Sequence, residues 1–373
     1  MAKRGRDCTM TAAAMRAPSP APGGDVGLPP EYLVLGRAGS ENFPVASRFL
    51  PPELRSDLMA LYGWARLVDE LGDDFAGDRL AALDEVERQL RVALALGGGR
   101  TAARPGGLPA GEARASEPAL GRPGEPAAGN GLHPLVARMA EAVRRLQLPT
   151  EPLLDLVEAN RQDQTVKRYE TFDDLLGYCR LSANPVGRMV LAIFGVATPQ
   201  RTAWSDDICT ALQLVEHWQD VAEDAIVGRA YLPLEDMARF GVSVEELVPP
   251  HVSYVDRGKR GAPGGASEAS RALVAFESAR ARKMLDAGTP LIASLPGRLR
   301  VAVAGFVAGG HAALDALAAL DFDVYADTAQ PTPTRFASHL GRLLVGAWGH
   351  KWPIGQAAQP RGQGPAENRR ATP

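Results

Sequence analysis

The chain has few cysteines, few aromatic residues and almost no net charge, and each shortage removes a class of function. Its three cysteines, Cys8, Cys179 and Cys209, lie far apart and are odd in number, so they supply neither a metal-binding pair nor a disulfide framework and suit a reducing cytoplasm. The formal net charge is −3, with Lys and Arg scattered rather than striped, which leaves no electrostatic ground to expect nucleic acid as a partner. No uncharged apolar run reaches the roughly 18 residues that span a bilayer. The basic start, Lys3, Arg4 and Arg6, is followed by Ala, Pro and Gly instead of an apolar stretch, so no signal peptide is read there. Strand patterns are missing too: no run of alternating β-branched residues is closed by a hairpin turn. A cytoplasmic protein is expected, with at most peripheral contact at the inner face of a membrane.

What is present is helical periodicity. Leu54, Leu58, Leu61, Tyr62, Ala65 and Val68 recur at three- and four-residue spacing, as do Leu80, Leu83, Val86, Leu90 and Val92. Further helices are expected over 135–146, 152–169, 172–196, 204–227, 267–285 and 299–317. Pro-, Ala- and Gly-rich stretches interrupt them. Residues 1–35 are expected to be a disordered N-terminal segment, 97–131 a flexible insertion, 256–266 a flexible loop and 346–373 a mostly disordered tail, because such compositions bury too little apolar surface to offset ordering. The fold class is therefore all-α, as one helical domain over 36–345.

Two acidic clusters stand out, Asp69-Glu70-Leu71-Gly72-Asp73-Asp74 and Asp220-Val221-Ala222-Glu223-Asp224. Each repeats an acid at i and i+4, which puts two carboxylates on one helix face and costs a few tenths of a kcal/mol unless a cation lies between them. Tyr62, Arg66, Asp69 and Asp73 share one face by spacing. Gln213, Glu216, Asp220 and Asp224 form a second polar stripe, followed by Arg229 and Tyr231. Helices carrying such stripes and facing each other would make an oxygen-donor site for Mg²⁺, which favours carboxylates, waters and phosphate oxygens. Arg66 is the kind of guanidinium fork that a diphosphate needs beside its metals, although alone it also fits an ordinary helix ion pair with Glu70. His217, next to Trp218, reads as a packed histidine rather than a ligand.

In order along the chain these segments resemble the head-to-head prenyl synthases, the family of squalene, phytoene and dehydrosqualene synthases. Tyr62-x-x-x-Arg66-x-x-Asp69-Glu70-x-x-Asp73 is similar to its first aspartate-rich motif and Gln213-x-x-Glu216-x-x-x-Asp220-x-x-x-Asp224 to its second. Tyr178 to Gly187 resembles the segment lining the substrate cavity, and Gly228 to Pro233 the basic loop after the second motif. The resemblance implies a single isoprenoid-synthase-type helical bundle with a central apolar cavity. Glu41 to Arg48, with Ser182 to Gly187, looks most like the bacterial hydroxysqualene synthases of squalene and hopanoid biosynthesis.

That resemblance implies a lyase-like reaction in which presqualene diphosphate loses diphosphate and gains water, with no NADPH consumed. Two or three Mg²⁺ are expected on Asp69, Glu70, Asp73, Glu216, Asp220 and Asp224, with Arg48, Arg66 and Arg229 on the diphosphate. Tyr62, Leu181, Asn184, Val186 and Gln213 would contact substrate, within an apolar wall that also draws on Phe43, Val45, Met189, Val190, Leu214 and Phe306. Three positions depart from the family pattern: Leu181 where cyclopropane-forming relatives carry tyrosine, Glu216 where the second motif has Asn, and Glu70 in place of Asp. Leu181 argues against joining two farnesyl diphosphates. Asn184 or Gln213 would hold the water, and Asn184 also stands where it could cap a helix break before Pro185. The competing expectations are a presqualene diphosphate or phytoene synthase, and a non-catalytic helical partner in a prenyl synthase complex. Neighbouring enzymes of the squalene pathway are expected partners. The apolar stretch Leu343 to Trp348 is expected to dock on the protein rather than on lipid.

Overall fold

The computed structural model describes residues 27–35, 52–97, 131–248, 265–325 and 330–349. The expected insertion, most of the 256–266 loop, most of the N-terminal segment and the tail beyond 349 lie outside the described residues. The backbone divides into two compact units, residues 1–41 with 56–165, and residues 42–55 with 166–373. Among the described residues regular structure is helical, and β-pairing is confined to one isolated parallel bridge, Arg168 to Ala230.

The first unit is built from α1 (Glu31–Leu35), α2 (Pro52–Asp73), α3 (Arg79–Gly97), α4 (Pro134–Leu146) and α5 (Glu151–Thr165). Leu58, Leu61, Trp64, Leu67, Val68 and Leu71 give α2 its buried stripe, and Trp64 Nε1 donates to Leu153 O at 3.3 Å, fixing α2 to the start of α5. Each fully buried leucine contributes about 1.5–3 kcal/mol relative to exposure. In α3 the core face is Leu83, Val86, Leu90 and Ala93, while Leu80 and Val92 are exposed. The expected stripe was therefore off at both ends: Leu80 sits in the first turn, and Val92, two residues from Leu90, falls off the buried face that Ala93 continues. Arg161 of α5 reaches Asp84 and Glu87 of α3 at 2.7 Å each.

The N-terminal expectation also needs correcting at its C-terminal edge. Residues 31–35 form α1, which buries Val34, pairs Glu31 with Arg138, and follows Pro29, whose carbonyl lies 2.9 Å from His133 Nε2. A short apolar anchor and two polar ties order a segment whose composition alone reads as disordered.

The second unit comprises α6 (Phe172–Ser182), α7 (Asn184–Ile193), α8 (Pro199–Gln219), α9 (Val221–Ile226), α10 (Leu234–Phe240), α11 (Glu268–Gly288), α12 (Pro290–Ser294), α13 (Gly297–Ala319) and α14 (Pro333–Gly349). Long helices α8 and α11 pack along each other, with α7 and α13 also against α8 and α14 against α13. Two spans expected to be single helices are broken. The 172–196 span divides at Ala183 because Pro185 cannot donate to the ladder and disfavours helix before it. The 204–227 span starts earlier, behind the Thr198 cap, and breaks at Asp220. Expected helix 152–169 stops at Thr165, and α14 runs beyond the expected domain end at 345.

Among the described residues, α13 alone is long and apolar enough to cross a membrane, and 56% of its apolar window is buried inside the second unit. Its Asp315 accepts from Arg282 at 2.8 Å and faces His339 Nε2 at 2.7 Å, tying α11, α13 and α14 together. On α14, Ala347 is buried and Val345 exposed, so the apolar stretch is partly covered by protein.

Glu277 of α11 is wholly buried beside Asp236 and Arg280, and burial pushes its carboxyl up to about 8. The folded chain therefore keeps a proton that the unfolded chain releases above the ordinary glutamate value of 4.5. Stability should fall as pH rises from 4.5 to about 8, by on the order of a few kcal/mol, then level off as far as this group is concerned. Urea melts across that window should show this slope in the wild type and its loss in Glu277→Gln.

Candidate active site

The acids of the first motif occupy the last turns of α2. Tyr62 is buried, Arg66, Asp69 and Glu70 are partly covered, and Asp73 is exposed. A helix ends with its carbonyls pointing outward and its negative pole exposed, so carboxylates there are unfavourable by about 0.3–1 kcal/mol each without a cation. No basic residue lies in the last turn of α2. Arg66 Nη2 stands 3.9 Å from Glu70 Oε2, at the outer limit of an ion pair, and so long a contact contributes little although both side chains are largely covered.

Two residues unforeseen from the sequence support this helix end. Asn160 of α5 donates from Nδ2 to Asp69 Oδ1 at 3.4 Å and to Leu156 O at 3.1 Å, and Gln164, one turn later, donates to Gly72 O at 3.0 Å. Gly72 makes this approach achievable, because a Cβ there would collide with the Asn160 amide. The glycine inside an otherwise acidic helix end was the available signal: it marked a close neighbour, not only a helix terminus.

In the second unit the polar stripe is interrupted at its centre. Asp220 closes α8 with φ −106° and ψ 9°, and α9 begins immediately after it. The expectation of one continuous helical face through Asp224 is thereby corrected. The turn is held by backbone bonds: Asp224 N to Asp220 O at 2.8 Å and Arg229 N to Asp224 O at 2.9 Å. Gly228 takes φ +80°, a left-handed conformation that favours glycine, and turns the chain back toward Arg229. From there the loop pairs with the 167–170 segment through Ala230 N to Lys167 O and Leu234 N to Tyr169 O, both 2.9 Å. Glu216 is exposed, and Asp220, Asp224 and Arg229 are partly covered. Glu216 thus lies in the last turn of α8, Asp220 stands between the two helices, and Asp224 lies in the first turn of α9, where a carboxylate is favoured.

The loop rests on an aromatic cluster that the sequence did not announce. His217 stacks on Tyr231 with centroids 3.7 Å apart and planes 9° from parallel, while Tyr169 and Tyr178 lie 5.8 Å from the Tyr231 ring. His217 is packed, as expected, yet its ring also stands 3.3 Å from Gln213 Nε2. Burial, with the positive Arg229 nearby, pushes the imidazole down to about 3, so it is neutral.

Asn184 is buried and its Oδ1 accepts from Thr210 Oγ1 at 2.9 Å, while α7 has no side-chain cap, so Asn184 does not serve as the cap foreseen as one option. Leu181, Val186 and Val190 are partly covered. Met189 and Leu214 are fully buried core, whereas Phe306 is 37% exposed. Phe43, Val45 and Arg48 lie outside the described residues.

Among the described residues no three His, Cys, Asp or Glu side chains converge on a point that could hold a metal. The donor chemistry nevertheless fits Mg²⁺, which is bound through one or two carboxylates and completes its shell with water and phosphate oxygens. An all-oxygen donor set suits such a hard cation.

Helices with acid-bearing ends, a basic loop and apolar side chains define the class of helical synthases that process prenyl diphosphates. The family model for squalene/phytoene synthase matches residues 37–342, and the chain belongs to that family. It is similar to a hydroxysqualene synthase of Zymomonas mobilis, 35% identical over 228 residues that make up 59% of this chain and 64% of the relative. A similar match, 32% identical, links it to a hydroxysqualene synthase of Sinorhizobium fredii over 56% of this chain and 60% of the relative. The chain thus spans about three fifths of the length of these curated relatives. Among solved structures, squalene synthase HpnC from Alicyclobacillus acidocaldarius is 34% identical with a TM-score of 0.62, over 79% of this chain and 94% of that one. A dehydrosqualene synthase at 20% identity and a TM-score of 0.64, over 86% of this chain and 97% of that one, shares the isoprenoid-synthase helical fold.

Replacing Gly72 by Ala should force the Asn160 amide aside at a cost of about 1–3 kcal/mol. Thermal melts of Gly72→Ala, Asn160→Ala and the double variant check this, the double variant being expected to recover most of the loss from Gly72→Ala.

Proposed function

We propose that this chain is a Mg²⁺-dependent hydroxysqualene synthase, converting presqualene diphosphate and water into hydroxysqualene and diphosphate in squalene and hopanoid biosynthesis. The observation that carries this reading is the gathering of each acidic set at one helix boundary, Asp69, Glu70 and Asp73 in the last turns of α2 and Glu216, Asp220 and Asp224 around the break between α8 and α9, the first set lying at a negative helix end where an uncompensated carboxylate is disfavoured. The donors for two or three Mg²⁺ are Asp69, Glu70 and Asp73 in the first unit and Glu216, Asp220 and Asp224 in the second. When bound, the metal supplies Lewis-acid stabilisation of the charge that gathers on the leaving diphosphate.

The chain's own groups do the rest. Arg66, Arg229 and Arg48 place guanidinium forks on diphosphate oxygens. Leu181, Val186 and Val190 offer an aliphatic surface to the cation that remains, which must be kept from indiscriminate water. An aliphatic Leu181, lacking a phenol, favours ionising a finished presqualene diphosphate over building one. No nicotinamide is required, because the cation is quenched by water rather than hydride. In this reading the enzyme works in the cytoplasm beside other squalene-pathway enzymes and releases its lipid product at the inner membrane face.

A second reading has one observation in its favour. A phytoene synthase of Arthrospira platensis, 27% identical, aligns over 301 residues, 77% of this chain and 82% of that protein. Purified protein with Mg²⁺ and no NADPH should release diphosphate from presqualene diphosphate and leave farnesyl diphosphate untouched; turnover of two allylic diphosphates instead would select the second reading. Asp69→Asn and Asp220→Asn should each lower diphosphate release by about a hundredfold or more, with circular dichroism unchanged. Near-wild-type release would remove the metal assignment.

A further inference from the structure

Capturing a carbocation with water demands an acceptor that holds one water and points its lone pair at one carbon. Asn184 is poorly suited, since its Oδ1 already accepts from the Thr210 hydroxyl at 2.9 Å in a buried setting. Gln213 differs. It lies on α8, one turn before His217 and in the same polar stripe as Glu216, and it is partly covered. Its Nε2 stands 3.3 Å from His217 Nε2. Among the described residues its side-chain oxygen makes no hydrogen bond.

An amide is nearly symmetric in shape, and only its partners decide which end is nitrogen and which is oxygen. Here the –NH2 end faces the ring, and because an amide nitrogen only donates, His217 Nε2 accepts and Oε1 faces away. That ring cannot swing out: it is 7% exposed, stacked on Tyr231 at 3.7 Å, with Tyr178 tilted against it at 6.1 Å. The aromatic cluster thus holds the ring in place, the ring nitrogen receives the amide –NH2, and the amide presents one oxygen away from it.

Resting on the proposed hydration of presqualene diphosphate, we infer that His217 is a positioning residue that orients the Gln213 amide so that its Oε1 holds the reacting water. In the step itself a water lone pair forms the new C–O bond to the cationic carbon. The resulting oxonium gives up one proton to an oxygen of the diphosphate released in the same turnover, which leaves a neutral alcohol. Gln213 Oε1 accepts the other O–H of that water throughout and undergoes no net change.

The test uses the full-length protein with Mg²⁺ and presqualene diphosphate, measuring diphosphate release and the ratio of alcohol to proton-loss hydrocarbons. His217→Phe keeps a ring on Tyr231 and removes the acceptor. It should leave diphosphate release within about threefold of wild type while lowering the alcohol-to-hydrocarbon ratio by about tenfold. Gln213→Ala, which leaves the His217–Tyr231 stack intact, should shift the ratio to a similar extent, and the double variant should shift it no further. A wild-type ratio in either single variant overturns the inference, as does a fully additive double variant. A wild type that forms no alcohol from presqualene diphosphate overturns the functional reading and the inference with it, whereas alcohol formation that is indifferent to both variants overturns the inference alone.

Discussion

Carboxylates at the C-terminal end of a helix are electrostatically misplaced, and in the first unit Asn160 and Gln164 brace the helix end that carries them. In α2 the acids Asp69, Glu70 and Asp73 crowd the final turns without a basic residue among them. In α8 Glu216 occupies the final turn and Asp220 is the closing residue itself. Aligned peptide dipoles leave partial negative charge at the end of α2 and beside Glu216, where Lys or Arg would be more stable, whereas Asp220 and Asp224 also meet the positive start of α9. This disfavoured arrangement is what the proposed divalent cation would relieve.

The supports are specific in each unit. In the first, Trp64 anchors α2 to α5, and Asn160 and Gln164 brace its end across the gap that Gly72 leaves open. In the second, the break at Asp220 and the left-handed turn at Gly228 fold the chain back on the His217 and Tyr231 stack, which fixes the stretch that carries Arg229. Rigidity comes from buried aromatic and amide groups, and the charged groups are carried on it. Glu277, Asp236 and Arg280 show the same unit burying charge for structural ends, with Glu277 protonated over much of the neutral range.

The all-α class, most helix positions and both acidic motifs were legible because each depends on local spacing. Leu58, Leu61, Val68 and Leu71 lie on one face of any helix with that sequence, and so do Asp69 and Asp73. Family resemblance then joined the acids to Arg66, the 178–187 segment and Arg229. What was not legible depended on partners far along the chain. The order of residues 31–35 rests on Arg138 and His133, and the stripe of α3 had to yield Leu80 and Val92 to solvent. Spacing also gave no hint that α8 would stop at Asp220, since nothing between Val215 and Ala225 is a helix breaker.

By itself, then, the sequence determined that this protein is helical, which carboxylates share a face and which family it joins, because helix periodicity and motif order are properties of neighbours. Only the tertiary structure decided that α8 breaks at Asp220, that Asn160 reaches Asp69, that Asn184 is committed to Thr210 and that His217 holds both Gln213 and Tyr231. Those contacts join residues whose separation or side-chain direction is set by packing and by backbone breaks, and neither is written in a repeat of three or four.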